Sequence, residues 1–156
     1  MFLALVAPAG AGTLGLEACF REAGARFGVA PELLRAIAAV ESGLEPLAQN
    51  ANGDGSRDIG IMQINSWWLG HLAPHGIRES HLWDPCYNIS IGAWILAHNV
   101  DLYGYTWDAV GAYHAGTSPS RVATRKRHEY ARKVMEHLAR AGGGRRLHHA
   151  GADGRP

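Results

Sequence analysis

The chain has 156 residues, of which 47% are hydrophobic and 19% charged, and its formal net charge at pH 7 is +1. This ordinary globular balance excludes a fully disordered chain, and no apolar run approaches the roughly 20 residues that a transmembrane helix needs. The small net charge points to no nucleic-acid partner. We therefore expect a single folded domain without a stable membrane span.

Residues 1–11 are similar to the hydrophobic end of a secretory leader. Ala7-Pro8-Ala9 and Ala9-Gly10-Ala11 fit the small-x-small cleavage pattern, although the positively charged start of a leader is missing. We interpret this segment as the remnant of a leader truncated at its N-terminus, and we expect an exported protein. The alternative is a short apolar segment packed on the domain.

The first half of the chain predicts two helices and a polar turn. Residues 15–27 and 31–42 carry apolar residues at helical spacing, and a glycine follows each run. Residues 46–58 are rich in Asn, Gly and Asp and predict a turn or a small hairpin. Residues 60–70 predict a short helix or turn. The overall class is mostly α.

The second half predicts three more helices. They are 88–100 capped by Asn88, 106–115 capped by Thr106, and a last helix opened by Ser118-Pro119 as its cap and first turn. Residues 141–156 consist mostly of Gly, Arg and His and cannot bury a core. We therefore expect a domain over 15–140 followed by a flexible basic tail.

Charge is distributed unevenly along the chain. From Arg121 to the end there are ten basic and three acidic residues, whereas residues 1–120 contain five basic and eleven acidic ones. Such a basic segment either meets an anionic surface or forms a solvated face.

The only two cysteines, Cys19 and Cys86, lie far apart in sequence and not at metal-ligand spacing. In an exported protein they would form one disulfide, worth about 4 kcal/mol by chain-entropy arguments. The alternative is two buried reduced thiols.

Glu41 ends an apolar stripe of the second helix that contains Leu34, Ile37 and Ala38. A carboxyl group among apolar neighbours has its charged form disfavoured, which suits it to act as a general acid. The alternative is a side chain that reaches water at the end of the helix.

Asp58 is a second candidate, because it follows the polar turn. Two carboxyl groups flanking a cleft, one neutral and one ionised, are the usual equipment for breaking a glycosidic bond. Asp58 has a structural alternative, since Asp is common in turns, where its side chain binds nearby backbone amides.

No metal is expected. Residues 50–58 partly follow a calcium-loop pattern, but Ile61 takes the place of the bidentate acid at the last position. The nine histidines form no zinc-binding pair.

Three segments carry a family resemblance: Glu41-Ser42 at a helix end, Gly60-Ile61-Met62-Gln63, and Ala112-Tyr113-His114-Ala115-Gly116. In this order they are similar to the motifs of lysozyme-like lytic transglycosylases of the soluble-lytic-transglycosylase (SLT) type. Within that type, residues 84–89 and Asn65 resemble the group that accompanies bacterial type III and type IV secretion systems. The resemblance covers about residues 17–138 and implies a lysozyme-like fold, α+β with a small hairpin region around 46–58.

The resemblance implies that Glu41 is the single catalytic acid and base. It would protonate the β-1,4 linkage between N-acetylmuramic acid and N-acetylglucosamine in peptidoglycan glycan strands and leave a 1,6-anhydromuramoyl end, with no cofactor. The implied substrate-binding residues are Ser42, Gly60, Met62, Gln63, Asn65, Tyr113 and His114. The implied setting is a periplasmic monomer that opens the cell wall for a secretion apparatus, with a component of that apparatus as a partner.

Two positions leave alternatives open. His114 replaces the usual Asn of the third motif, and Asp58 either stabilises an oxocarbenium ion or only holds the turn. Two other functions therefore remain: a hydrolytic muramidase that uses Glu41 and Asp58, and a non-catalytic wall-binding assembly protein. Of the five tryptophans, most are expected in the core, and Trp67 or Trp68 would form the floor of a sugar cleft.

Overall fold

The structure, a computed structural model, describes residues 13–142. Six α-helices are present in these residues: α1 Thr13–Phe27, α2 Pro31–Ser42, α3 Leu69–Leu72, α4 Pro85–Tyr103, α5 Trp107–Ala115 and α6 Arg121–Gly142. Three short strands, β1 Gln49–Ala51, β2 Arg57–Ile59 and β3 Ile64–Asn65, form the sheet, and 3-10 turns cover Ser66–Trp68, Ala73–His75 and Glu79–Trp83. The mostly helical class with a small hairpin region is confirmed.

The described chain divides into two compact units, residues 13–93 and residues 94–142. The expected leader, 1–11, and residues 143–156 of the expected tail lie outside the described residues. Residues 141 and 142 belong to the end of α6. The proposed boundaries of the domain and of the tail stay predictions.

In the first unit, α1 and α2 contribute buried side chains to an apolar core. Pro31 occupies the first turn of α2, and Gly43 ends that helix with φ 65° and ψ 25°, a left-handed conformation that glycine adopts without strain. A disulfide joins Cys19 of α1 to Cys86 at the start of α4, with the two Cα atoms 5.1 Å apart. The expected disulfide is therefore present.

The sheet is antiparallel in the order β1-β2-β3. Asp58 in the central strand pairs with Asn50 of β1 and with Asn65 of β3. The third strand was not expected, because 60–70 predicted a short helix or turn. Ile64–Asn65 is extended because it pairs with β2, which is a tertiary contact that no local pattern announces.

The predicted cap of α4 is wrong. The helix begins at Pro85 rather than at Asn88. Asp84 accepts the backbone N–H of Tyr87 at 2.8 Å and so takes the capping role. Asn88 is fully buried inside the first unit, where its amide holds the chain around residue 60.

In the second unit, α5 and α6 pack closely. A Cβ at Gly111 would lie 2.5 Å from the carbonyl oxygen of Arg127, so this contact requires glycine. Thr106 precedes α5 as predicted, but its hydroxyl donates to the carbonyl of Tyr103 at 3.1 Å instead of capping the helix. The predicted start of the last helix is also wrong, because α6 begins at Arg121 and Ser120 accepts the N–H of Ala123 at 3.2 Å.

Within residues 13–142, no helix is both long enough and apolar enough to cross a membrane.

Candidate active site

Glu41 lies one residue before the end of α2, at the end of the buried stripe. Leu34, Ile37 and Ala38 have 0% exposure, and the side chain of Glu41 is half-buried. The chain leaves the helix directly after it, because Gly43 is left-handed and the N–H of Leu44 donates back to the carbonyl of Ala38 at 3.3 Å. The carboxyl group therefore sits at the boundary between an apolar core and the surface, on a helix end of fixed geometry.

Ser42 connects this helix end to the second motif. Its hydroxyl donates to the carbonyl of Ile61 at 2.7 Å, and the carbonyl of Ala38 lies at 3.2 Å. The same oxygen accepts the N–H of Glu45 at 3.1 Å. Because a hydroxyl has one proton, the shorter contact identifies Ile61 as the principal acceptor. Ser42 thus fixes the distance between α2 and the turn that starts at Gly60.

The turn from Gly60 to Gln63 needs its glycine. Gly60 has φ 75°, and a Cβ there would overlap the amide of Asn88 and lie 2.8 Å from the carbonyl of Leu82. Gln63 also has a positive φ, 49°, and its N–H donates to the Gly60 carbonyl at 3.0 Å. Met62 is fully buried, and its methyl end fits against Gly92 of α4.

Asn88 supports this turn from below with three hydrogen bonds. Its side-chain oxygen accepts the N–H of Met62 at 2.8 Å. Its side-chain nitrogen donates to the carbonyls of Ile59 at 2.8 Å and Leu82 at 2.9 Å. Sequence reasoning took Asn88 for a helix cap and missed this role, which only the folded chain creates.

The side chain of Gln63 is used inside the protein. It is 8% exposed, and its nitrogen donates to the carbonyls of Gly60 at 2.9 Å and Ala48 at 3.1 Å. Its oxygen accepts from the side chain of Asn50 at 2.6 Å. Both amide protons are therefore occupied, so Gln63 ties β1 to the turn rather than presenting a free amide.

Asp58 is the centre of a polar cluster on one face of the sheet, made of Asn52, Ser56, Asp58 and Asn65. Its two carboxylate oxygens accept from the side-chain amides of Asn65 at 2.8 Å and Asn52 at 3.1 Å. The Ser56 hydroxyl oxygen accepts from the same two amides, at 3.0 and 3.1 Å. The carboxylate is half-buried and firmly oriented, and each oxygen keeps a lone pair for a further donor.

The turn before β2 is held by a second carboxylate. The hydroxyl and the N–H of Ser56 both donate to Asp54, at 2.7 and 2.9 Å. The Ser56 hydroxyl, followed by its N–H, holds the pKa of Asp54 below its ordinary value. Asp54 is fully exposed and serves the turn.

An aromatic cluster of Trp67, Trp68 and His71 follows the polar cluster directly. The side-chain oxygen of Asn65 accepts the N–H of Trp67 at 2.9 Å, so the polar cluster fixes the start of this segment. Trp67 lies edge-on to Trp68, with ring centroids 5.0 Å apart, and 4.5 Å from the ring of His71. Trp67 is 63% exposed, which is unusual for so large an apolar ring.

The third motif lies in the second unit, on α5. Tyr113 is half-buried and His114 is exposed. The imidazole of His114 stacks on the buried ring of Tyr130, with centroids 4.8 Å apart and an interplanar angle of 2°. The ring that replaces the expected Asn is thus accommodated by an aromatic neighbour on α6.

In the first unit, Ser42 is bonded to Ile61 and Gln63 to Gly60, so both hold the turn of the second motif. Asp58 and Asn65 form a separate pair on the sheet. Sequence reasoning missed the supporting amides of Asn50, Asn52 and Asn88, since Asn in a turn-rich segment gave no signal of its partners. Among residues 13–142, no group of three or more His, Cys, Asp or Glu side chains is arranged to hold a metal ion.

Residues 18–136 match the Transglycosylase SLT domain family, and the chain belongs to that family. It is 47% identical over 126 residues to Invasion protein IagB of Salmonella typhimurium strain SL1344, which covers 80% of this chain and 78% of the relative. It is 40% identical over 128 residues to Protein IpgF of Shigella flexneri, with 81% and 83% covered.

The fold is similar to an X-ray structure of an inactive mutant of the lytic transglycosylase Slt from Pseudomonas aeruginosa. The TM-score is 0.63 at 21% identity, and the match covers 81% of this chain and 24% of that one. At this identity the likeness concerns the fold, and it confirms the predicted lysozyme-like class.

Proposed function

We propose that this protein is a peptidoglycan lytic transglycosylase that uses Glu41 as its catalytic acid and base. The observation that carries the proposal is the position of Glu41 at the end of a fully buried stripe, with Ser42 bonded to Ile61 of the second motif at 2.7 Å. Membership of the Transglycosylase SLT domain family supports the substrate class.

The proposed reaction has two proton transfers and consumes no water. The carboxyl group of Glu41 protonates the oxygen of the β-1,4 linkage as the bond from that oxygen to the muramoyl C1 breaks. The resulting carboxylate then accepts the proton of the muramoyl 6-hydroxyl while the 6-oxygen bonds to C1. Glu41 returns to its protonated form, and the products are a free 4-hydroxyl and a 1,6-anhydromuramoyl end.

The other predicted site residues take two kinds of role in this proposal. Ser42, Gly60, Met62 and Gln63 shape the site, because their bonds and packing lie within the protein. Trp67, Tyr113 and His114 contact the sugars, the exposed ring of Trp67 offering a face for a pyranose. Asn65 orients Asp58 and the start of the Trp67 segment.

Asp58 favours a second candidate function, the hydrolytic muramidase. Its carboxylate is oriented by Asn52 and Asn65 and retains acceptor capacity, as the ionised partner of a catalytic pair requires. In the transglycosylase, the same carboxylate holds the polar cluster and stabilises positive charge at C1.

The proposed setting is the periplasm, where the enzyme opens the wall locally for a secretion apparatus. The Cys19–Cys86 disulfide suits an oxidising compartment. The link to secretion rests on the resemblance of residues 84–89 and Asn65 to the secretion-associated group. We propose that the enzyme acts as a monomer and needs no cofactor.

Mass spectrometry of the soluble products from purified sacculi tests the reaction. Anhydro ends, lighter by one water than reducing ends, are expected from the natural protein. Glu41→Gln should lower the rate by about 10²–10⁴-fold, since the amide cannot transfer the proton. Glu32→Gln, on an exposed residue of the same helix, is the matched control and should retain the natural rate.

Reducing ends instead of anhydro ends would establish the muramidase. If the natural protein binds sacculi but releases nothing, the wall-binding alternative replaces both enzymes. Equal rates for Glu41→Gln and Glu32→Gln would overturn the role of Glu41.

A further inference from the structure

The chain segment Gly116-Thr117-Ser118, here the 116–118 loop, joins the third motif to α6 and is held by side chains. One guanidinium nitrogen of Arg127 donates to the first carbonyl of the loop at 3.2 Å and to the third at 2.8 Å. The hydroxyl of Tyr103 lies 3.4 Å from the second carbonyl, in position to donate. Three consecutive carbonyls of an exposed loop therefore point toward side chains of α4 and α6.

This arrangement fixes the direction of the N–H groups. In a trans peptide the N–H points away from the C=O of the same unit, and residues 13–142 contain no cis peptide bond. The N–H groups of Thr117 and Ser118 therefore point away from Arg127 and Tyr103. Neither N–H donates to an acceptor among the described residues. The loop thus presents two adjacent donors outward.

Arg127 is a buried cation whose hydrogen bonds go mainly to the 116–118 loop. It is 6% exposed, its Nε has no hydrogen-bond partner, and it forms no ion pair with any described carboxylate. Its other contacts are the Thr124 hydroxyl at 2.9 Å and the face of the Tyr103 ring, 5.6 Å from the centroid. Burying a cation away from water costs free energy, and the hydrogen bonds to the loop carbonyls offset that cost. The position of Arg127 and the conformation of the 116–118 loop therefore depend on each other.

We propose that Arg127 is a positioning residue that holds the 116–118 loop so that the N–H groups of Thr117 and Ser118 bind an acceptor oxygen of the wall polymer. The inference rests on the proposed function, because it gives the loop that follows Tyr113 in the chain a role in binding the same polymer. The acceptor is a carbonyl or carboxylate oxygen, which is either the acetamido group of a sugar or the carboxylate of a stem peptide. The hydrogen bond from the Arg127 guanidinium to the Gly116 carbonyl polarises that peptide group and strengthens its donor, the N–H of Thr117.

Two variants test the role of the loop, so that the test still stands if one of the variant proteins fails to fold. Thr117→Pro removes one outward N–H and breaks no internal hydrogen bond, and the ψ of −172° at Gly116 is extended, as a following proline prefers. Arg127→Lys keeps the charge but loses the planar guanidinium, of which one terminal nitrogen binds the two loop carbonyls and the other binds the Thr124 hydroxyl. Arg125→Gln, an exposed residue on the same helix, is the matched control.

For Thr117→Pro and Arg127→Lys we expect a KM for wall polymer raised about tenfold, with kcat changed less than about twofold, because one binding donor is lost or misplaced. The melting temperature of Thr117→Pro should match that of the natural protein, and Arg125→Gln should match it in every respect. An unchanged KM for Thr117→Pro would overturn the proposal.

Two substrates identify the oxygen. A KM effect on both intact glycan strands and strands freed of stem peptides would assign the acetamido oxygen, and an effect on intact strands alone would assign the stem carboxylate. If the natural protein yields no product on either substrate, the proposed function fails. Pelleting with sacculi then tests the loop separately, since weaker binding of Thr117→Pro supports the proposal and equal binding overturns it.

Discussion

Removing the side chain of Asn88 tests whether one buried amide holds the turn that follows the central strand. Asn88→Ala deletes three hydrogen bonds, to the Met62 N–H and to the carbonyls of Ile59 and Leu82. Each bond contributes about 1–1.5 kcal/mol net. We therefore expect the free energy of unfolding to fall by about 3–5 kcal/mol.

Urea unfolding followed by tryptophan fluorescence measures this loss, and thermal unfolding checks it. For a chain of this size the same loss lowers the melting temperature by about 6–20 °C. The candidate active site should also be disturbed, because the N–H of Met62 lies in the turn to which the Ser42 hydroxyl of α2 donates a hydrogen bond. Turnover of sacculi should therefore fall even below the melting transition.

Asn99→Ala is the matched control. Asn99 is another asparagine of α4 and is 3% exposed, but its side-chain nitrogen has no hydrogen-bond partner among the described residues. Its removal should change the free energy of unfolding by less than about 1 kcal/mol, because no donor is orphaned. A loss below about 1 kcal/mol for Asn88→Ala, or equal losses for both variants, would refute the reasoning.

Three further predictions concern the Cys19–Cys86 disulfide, Gly60 and the exposed ring of Trp67. Replacing Cys19 and Cys86 by Ser should lower the free energy of unfolding by about 4 kcal/mol, and urea curves that coincide with those of the oxidised natural protein would contradict this. Gly60→Ala should destabilise by about 2–5 kcal/mol through its positive φ and the clash described above, whereas Gly53→Ala, with open space around its Cβ, should cost under about 1 kcal/mol. Trp67→Ala should raise KM about 3–10-fold at unchanged melting temperature, with Trp67→Phe intermediate; an unaffected KM would exclude the ring from the sugar site.

The sequence by itself determined the local elements and the family. The apolar stripe of 31–42, with Pro31 at its start and Gly43 after its end, specifies α2 and puts Glu41 at its last turn. The cluster of Asn, Gly and Asp over 46–58 specifies a chain reversal. These signals are local, because helical spacing, capping and turn preferences act between residues a few positions apart. The ordered motifs then place the chain in its family.

Only the tertiary structure decided which polar groups pair. Ile64–Asn65 forms a strand because it pairs with β2. The side chain of Asn88 does not cap a helix but binds backbone groups around residue 60. α6 begins at Arg121, preceded by Ser120, rather than being opened by Ser118. Arg127 holds the 116–118 loop outside the helix. Buried donors and acceptors must find partners wherever the fold brings them. The partner is 7 residues away in the bond from Asn65 to Asp58 and 29 residues away in the bond from Asn88 to Ile59. Such pairings depend on the packing of the whole unit, so a local pattern carries no trace of them.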